Sequence, residues 1–185
     1  MTVVSQVREV RDMSLARDAL LVIGGGILIS LFARIAIPLP FTPVPIAMQM
    51  NVCIFLGMLL GARRGAAAVL VFLAQGAFGL PVFANGKAGL AVLLGPTGGY
   101  LIGYVVAAFL AGYIWERCKA KSERQAFLAM AIGNLAVYVL GVAHLSQITG
   151  FSKALLLGVA PFVIGDLFKL FLGVRLLKTA PKPAY

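Results

Sequence analysis

The chain has 185 residues, 61% of them hydrophobic and 12% charged, with a mean hydropathy of +1.00. That composition excludes an ordinary soluble domain and identifies an integral membrane protein, for which one compact bundle over 1–185 is the natural domain count. The formal charge of +10 does not indicate nucleic acid, because the cations sit at the ends of apolar runs rather than on one polar basic face.

Residues 1–18 mix Arg8, Arg11 and Arg17 with Glu9, Asp12 and Asp18. They lack a cleavable signal pattern, so the first apolar segment is expected to direct insertion. Residues 19–37 form the first expected span, about 28 Å at the helical rise. Gly24, Gly25, Gly26 and Ser30 give it a smooth face for close packing, either within the chain or on a partner. The internal packing is the simpler expectation. Arg34 is expected to reach the interface near the end of this span. The stretch Pro38-Leu39-Pro40-Phe41-Thr42-Pro43-Val44-Pro45 holds four prolines, which remove donors and fix φ. It reads as a stiff, extended connection, serving either as a rigid turn or as half of a lid.

Residues 46–60 form a short second span carrying Gln49 and Asn51, and residues 65–80 form a third carrying Gln75. The next stretch runs from Gly79-Leu80-Pro81-Val82-Phe83-Ala84-Asn85-Gly86-Lys87 to Gly95-Pro96-Thr97-Gly98-Gly99-Tyr100. It is too rich in Gly, Pro and polar groups to cross a bilayer, and irregular backbone beside membrane depth is tolerated only in contact with protein or a cavity. So long a loop in so short a chain is expected to cap a ligand, with a structured turn as the plainer alternative. Thr97 is expected to cap the following helix. Residues 98–115 are the fourth span, with Gly103 four residues before Ala107, and 125–145 are the fifth, with Asn134 and Tyr138 on one face. His144 stands without a second metal ligand nearby and reads as an interfacial residue. Pro161 interrupts the last apolar run, so the sixth span is placed at 161–178 and Lys153 to Ala160 form a short outer helix or loop.

Twelve cations lie at the N-terminus, in the Arg63-Arg64 turn, in the Arg117 to Arg124 turn and at the C-terminus, whereas the alternate loops carry only Lys87 and Lys153. The positive-inside rule then gives six spans with both termini cytoplasmic. The proline stretch, the central glycine-rich loop and the segment before Pro161 thereby share the outer face.

Asp166 and Lys169 lie three apart in the sixth span and share one helix face. Each costs roughly 2.5–3.5 kcal/mol at the bilayer centre on the insertion scale, so they should face the bundle interior or water. They are expected to meet a ligand from outside; a self-neutralising structural pair is the alternative. No enzyme is indicated. The Gly95 to Gly99 stretch lacks a Walker lysine, Cys53 and Cys118 make no metal set, and one histidine completes no catalytic triad.

The motifs Pro38-Leu-Pro-Phe-Thr-Pro-Val-Pro-Ile46, Gly61-Ala-Arg-Arg-Gly65, Gly79-Leu-Pro-Val-Phe83, Gly95-Pro-Thr-Gly-Gly-Tyr100 and Gly165-Asp-Leu-Phe-Lys169 resemble the BioY family of biotin transporters, in the family's order and from the first span to the sixth. These are the substrate-binding S components of energy-coupling-factor (ECF) transporters. The resemblance implies an all-α, six-helix S-component bundle in the cytoplasmic membrane, high-affinity biotin capture, and no cofactor. It also implies a transmembrane coupling subunit and two cytoplasmic ATPases as partners. Family substrate contacts match at Asp166, Lys169 and Asn85. This chain departs from the family at Asn85-Gly86-Lys87, where relatives often carry a glycine pair, and Gly26 with Ser30 is a loose form of the Ala-x-x-x-Ala docking pattern. Biotin's chemistry is compatible with these groups: Asp166, Asn85 and Gln49 suit the ureido edge, and Lys169 or the N–H groups around Gly98 and Gly99 suit the carboxylate. Tyr100 and Phe83 can pack on the rings. The rivals are an S component for thiamine or riboflavin, a secondary transporter relaying a proton through Asp166 and Lys169, and a purely structural membrane protein.

Overall fold

The computed structural model describes residues 3–179, with side chains from Ser14 onward. The side chains of Arg8 and Arg11, and Lys182 altogether, therefore lie outside the described residues. The described chain is helical, with one two-stranded ladder. Its elements are α1 (Val3–Ala33), β1 (Ala36–Ile37), β2 (Ile46–Ala47), α2 (Gln49–Leu60), α3 (Ala62–Ala77), a 3₁₀ turn (Ala84–Gly86), α4 (Leu90–Leu94), α5 (Gly98–Arg117), α6 (Glu123–Thr149), α7 (Phe151–Gly158) and α8 (Val163–Thr179).

Ser14–Ala33, Gly98–Arg117 and Glu123–Thr149 are long and apolar enough to cross a membrane. The pair α7 and α8, bent by 49°, makes a fourth crossing if counted as one broken span. Helix α2 is apolar but only 12 residues long, about 18 Å. The outer surface is correspondingly apolar, with Leu20, Phe78, Ile164 and Phe168 exposed, while Asp166, Gln49, Asn51 and Asn134 are buried. This is a multi-pass membrane protein.

Several boundaries differ from expectation for identifiable reasons. The first helix stops at Ala33 instead of 37, and Pro38 keeps Ile37 out of helical geometry. Ala36 and Ile37 instead pair antiparallel with Ala47 and Ile46, so the proline stretch is the loop of a small hairpin. At its other end α1 extends back through residues not expected to be helical. Gly61, at φ +93°, turns α2 directly into α3, which therefore begins three residues early. Helix α6 starts at Glu123 because Ser122 and Gln125 form a reciprocal capping box. Thr97 makes no side-chain cap bond, contrary to expectation. Pro161 lies in the turn between α7 and α8, as its position in the apolar run requires.

Close approach of helices sets the bundle. A Cβ on Gly57 of α2 would strike the Ala108 carbonyl of α5, one on Gly112 of α5 would strike the Gly57 carbonyl, and one on Gly65 of α3 would strike Gly57 itself. Three helices therefore touch backbone to backbone at a single level. Gly26 packs on Val71 and Ala68 of α3, and Ser30 Oγ lies within hydrogen-bond distance of Gly26 O (2.9 Å) and of Gln75 Oε1 (2.7 Å), with one proton to donate. Gly25, Gly26 and Ser30 of the small-residue face of α1 are thus packed inside the chain, whereas Gly24 is exposed.

Candidate functional site

Helix α8 buries Asp166, Leu170, Gly173 and Val174 and turns Ile164, Leu167 and Phe168 outward. This spacing brings Asp166, in the first helical turn, into the bundle, where the positive end of the helix favours a carboxylate. Lys169 Nζ lies 3.0 Å from Asp166 Oδ1, with side-chain exposures of 13% and 6%, so the pair faces protein and not lipid. Lys169 Nζ also donates to the Ala47 carbonyl at 3.2 Å. The second carboxylate oxygen accepts from Tyr138 OH of α6 at 2.5 Å. Three helices and the hairpin are thereby tied to one ion pair: α8 through the charges, α6 through Tyr138, and β2 leading into α2 through Ala47. Such charge-assisted bonds satisfy both buried ions, which an apolar environment demands.

One hollow of about 30 Å³ lies against this pair, and a second of similar size lies beside the first. The inner one reaches Asp166, Lys169, Tyr138 and Phe162; the outer one reaches Gln49, Phe83, Asn85 and Lys87. Val44, Pro45, Tyr100 and Tyr104 border both, which makes them adjoining compartments of one site. Each compartment has room for about one water. Gln49 Nε2 donates to Tyr104 OH at 3.3 Å, while Gln49 Oε1 is buried with no partner among the described residues.

The roof is assembled from three distant parts of the chain. Thr42 Oγ1, in the proline loop, donates to Leu157 O of α7 (2.7 Å) and accepts from Val44 N (3.2 Å). Tyr100 OH donates to Gly158 O at 3.0 Å, its ring seated where a Cβ on Gly141 or Gly158 would collide. Phe83 is fully buried beneath the central loop, edge-on to Phe72 with ring centroids 5.5 Å apart. Asn85 and Lys87 beside it are exposed, and Asn85 adopts φ +59°, a left-handed conformation that asparagine tolerates. His144 Nε2 lies 3.0 Å from the Gly95 carbonyl, so this residue fastens the central loop to α6.

Of the residues expected at the site, the structure brings together Asp166, Lys169, Tyr100, Gln49, Phe83 and Asn85 around the two compartments. Gly98 and Gly99 line neither. They are buried, and a Cβ would strike the Leu93 carbonyl at Gly98 and His144 with the Leu140 carbonyl at Gly99. Their smallness serves helix packing. Sequence reasoning missed the wall formed by Tyr104 and did not connect Tyr138 to Asp166. The available signal was a tyrosine within each of two apolar helices, because a buried phenol needs a polar partner.

Comparison with known proteins gives a consistent picture. The chain matches the BioY family over residues 4–184. A biotin transporter of Rhizobium etli is 41% identical over 142 residues, covering 72% of this chain and 75% of that protein. One from Thermotoga maritima is 40% identical over 136 residues, covering 72% and 79%. A probable biotin transporter of Pyrococcus horikoshii is 39% identical over 127 residues, covering 69% and 74%. Among solved structures, the S-component for biotin from an ECF-type ABC transporter superposes with a TM-score of 0.77 at 27% identity, over 97% of this chain and 93% of that one.

Proposed function

The chain belongs to the BioY family, a family of transporters and not of enzymes, and on that premise we propose that it binds biotin and admits it across the cytoplasmic membrane as the substrate-specific component of an ECF-type transporter. The observation that carries this reading is the buried Asp166–Lys169 pair lining one of two adjoining compartments under the proline hairpin, the central loop and α7. Biotin offers ureido N–H donors and a carbonyl acceptor at one end and a carboxylate at the other. The unpartnered Gln49 Oε1 and the Asp166 carboxylate are acceptors for the ureido N–H groups; Lys169, or the exposed Asn85 and Lys87, are donors for the biotin carboxylate. Tyr100, Tyr104 and Phe83 supply the apolar walls that the thioether ring and tail require.

Small-molecule pockets usually enclose roughly 300–1,000 Å³. Compartments of about 30 Å³ each must therefore merge when biotin enters, by parting of the hairpin and the central loop. The cation count favours six spans in one transmembrane unit, both termini in the cytoplasm and the roof outside. Because the chain carries no nucleotide-binding loop, a coupling subunit with two ATPases is the proposed source of energy.

Labelled biotin bound to the purified chain tests this directly. Unlabelled biotin should displace it, and thiamine or riboflavin should not. Displacement by either of those vitamins at comparable concentration transfers the reading to another vitamin. Abolition of uptake by an ionophore in ATP-replete vesicles favours the proton relay.

A further inference from the structure

A larger cleft opens at the opposite end of the bundle from the site, where α1 enters its apolar stretch, α2 turns into α3 and α5 ends. Its volume is about 520 Å³, and its charged lining is Asp18, Arg63, Arg64, Glu116 and Arg117. Both carboxylates are engaged: Asp18 pairs with Arg64 at 2.8 Å, and Glu116 accepts from the Ala62 N–H at 2.7 Å, capping the start of α3. Three guanidinium groups against two engaged carboxylates leave positive charge in excess. Arg63 is exposed and has no ion pair among the described residues. Arg117 sits over the Tyr113 ring, its Cζ 3.4 Å from the ring centroid, and has no carboxylate partner among the described residues.

The rest of the lining is Leu60, Gly61, Ala62, Phe109 and Tyr113, mostly apolar. Phe109 and Tyr113 stack at 5.9 Å with 22° between their planes, and both are about 40% exposed on the lipid side of α5. Arginines at the rim of an aromatic, lipid-facing wall match a molecule with an anionic phosphate at one end and hydrocarbon at the other. We infer that this cleft holds an anionic phospholipid, its phosphate between Arg63 and Arg117 and its upper acyl chain along Phe109 and Tyr113. Free inorganic phosphate shares the headgroup chemistry but has no use for the aromatic wall. The inference is independent of what the protein transports.

Native mass spectrometry of the purified chain, with phosphatidylglycerol or phosphatidylcholine added to the detergent, provides the test. Wild-type protein should retain phosphatidylglycerol in preference to phosphatidylcholine. Arg63→Gln should lower that retention roughly fivefold, and Arg63→Gln with Arg117→Gln about 25-fold, as the loss of about one surface-cation contribution per arginine requires. Since Arg117 packs on Tyr113, the Arg63→Gln variant alone, at an exposed side chain, carries the test if the double variant fails to elute as a single species. Equal retention of the two lipids, unchanged retention in Arg63→Gln, or displacement of phosphatidylglycerol by millimolar inorganic phosphate would each overturn the lipid assignment.

Discussion

The two ends of the bundle treat charge in opposite ways. At the roofed end, one carboxylate and one ammonium are buried, and each is bonded to a neutral partner on another element: Tyr138 OH for Asp166, the Ala47 carbonyl for Lys169. At the other end, cations are exposed and shared loosely, as where Arg175 (3.1 Å) and Lys178 both approach Glu123. Buried charge is expensive and therefore specific; exposed charge is screened and sets orientation. In the proposed function the first arrangement serves the site and the second the topology.

Removing one charge at the roofed end should have the largest effect on stability. Asp166→Asn leaves Lys169 buried without its counter-ion, a loss of about 3–5 kcal/mol, visible as a lowered thermal midpoint of the detergent-solubilised protein. The comparison sharpens when both charges go. Asp166→Asn with Lys169→Met should recover part of that loss, since no orphan ion remains, yet should still fail to bind biotin. Recovery of binding in the double variant would reduce the pair to scaffolding.

Tyr138→Phe comes next. It removes a single hydrogen bond to a charged group, worth about 1.5–3 kcal/mol, and should weaken biotin binding by roughly 10- to 100-fold in equilibrium titrations. The smallest effect belongs to the other end. Glu123→Gln should leave the thermal midpoint within measurement error at physiological salt, because its partners are exposed. A large drop there would break the distinction between the two ends.

Much of this is legible in the chain. Asp166 and Lys169 stand out because opposite charges three residues apart in an apolar run must turn away from lipid together, toward protein or water. Alternation of cations between loops likewise brings three sequence-distant connections to one face. The partners are not legible, because which tyrosine of α5 or α6 faces α8 depends on helix rotation, which a nearly uniform apolar pattern does not fix. The glycines show the same limit. Small residues recur in every long helix, so nothing in the sequence singles out the backbone contact among Gly57, Gly65 and Gly112, while Gly98 and Gly99 have the spacing of ligand donors and are instead packed on neighbouring backbone and on α6. The hairpin at 36–47 escapes sequence reading because each strand is two residues long.

The most direct measurement is the affinity of purified wild-type, Asp166→Asn and Lys169→Met proteins for labelled biotin, each checked for a monodisperse, membrane-extracted species. The wild type should bind tightly, and each variant at least about tenfold more weakly, as loss of a charge-assisted contact requires. Wild-type affinity in both variants would show that biotin, wherever it sits, does not meet this ion pair.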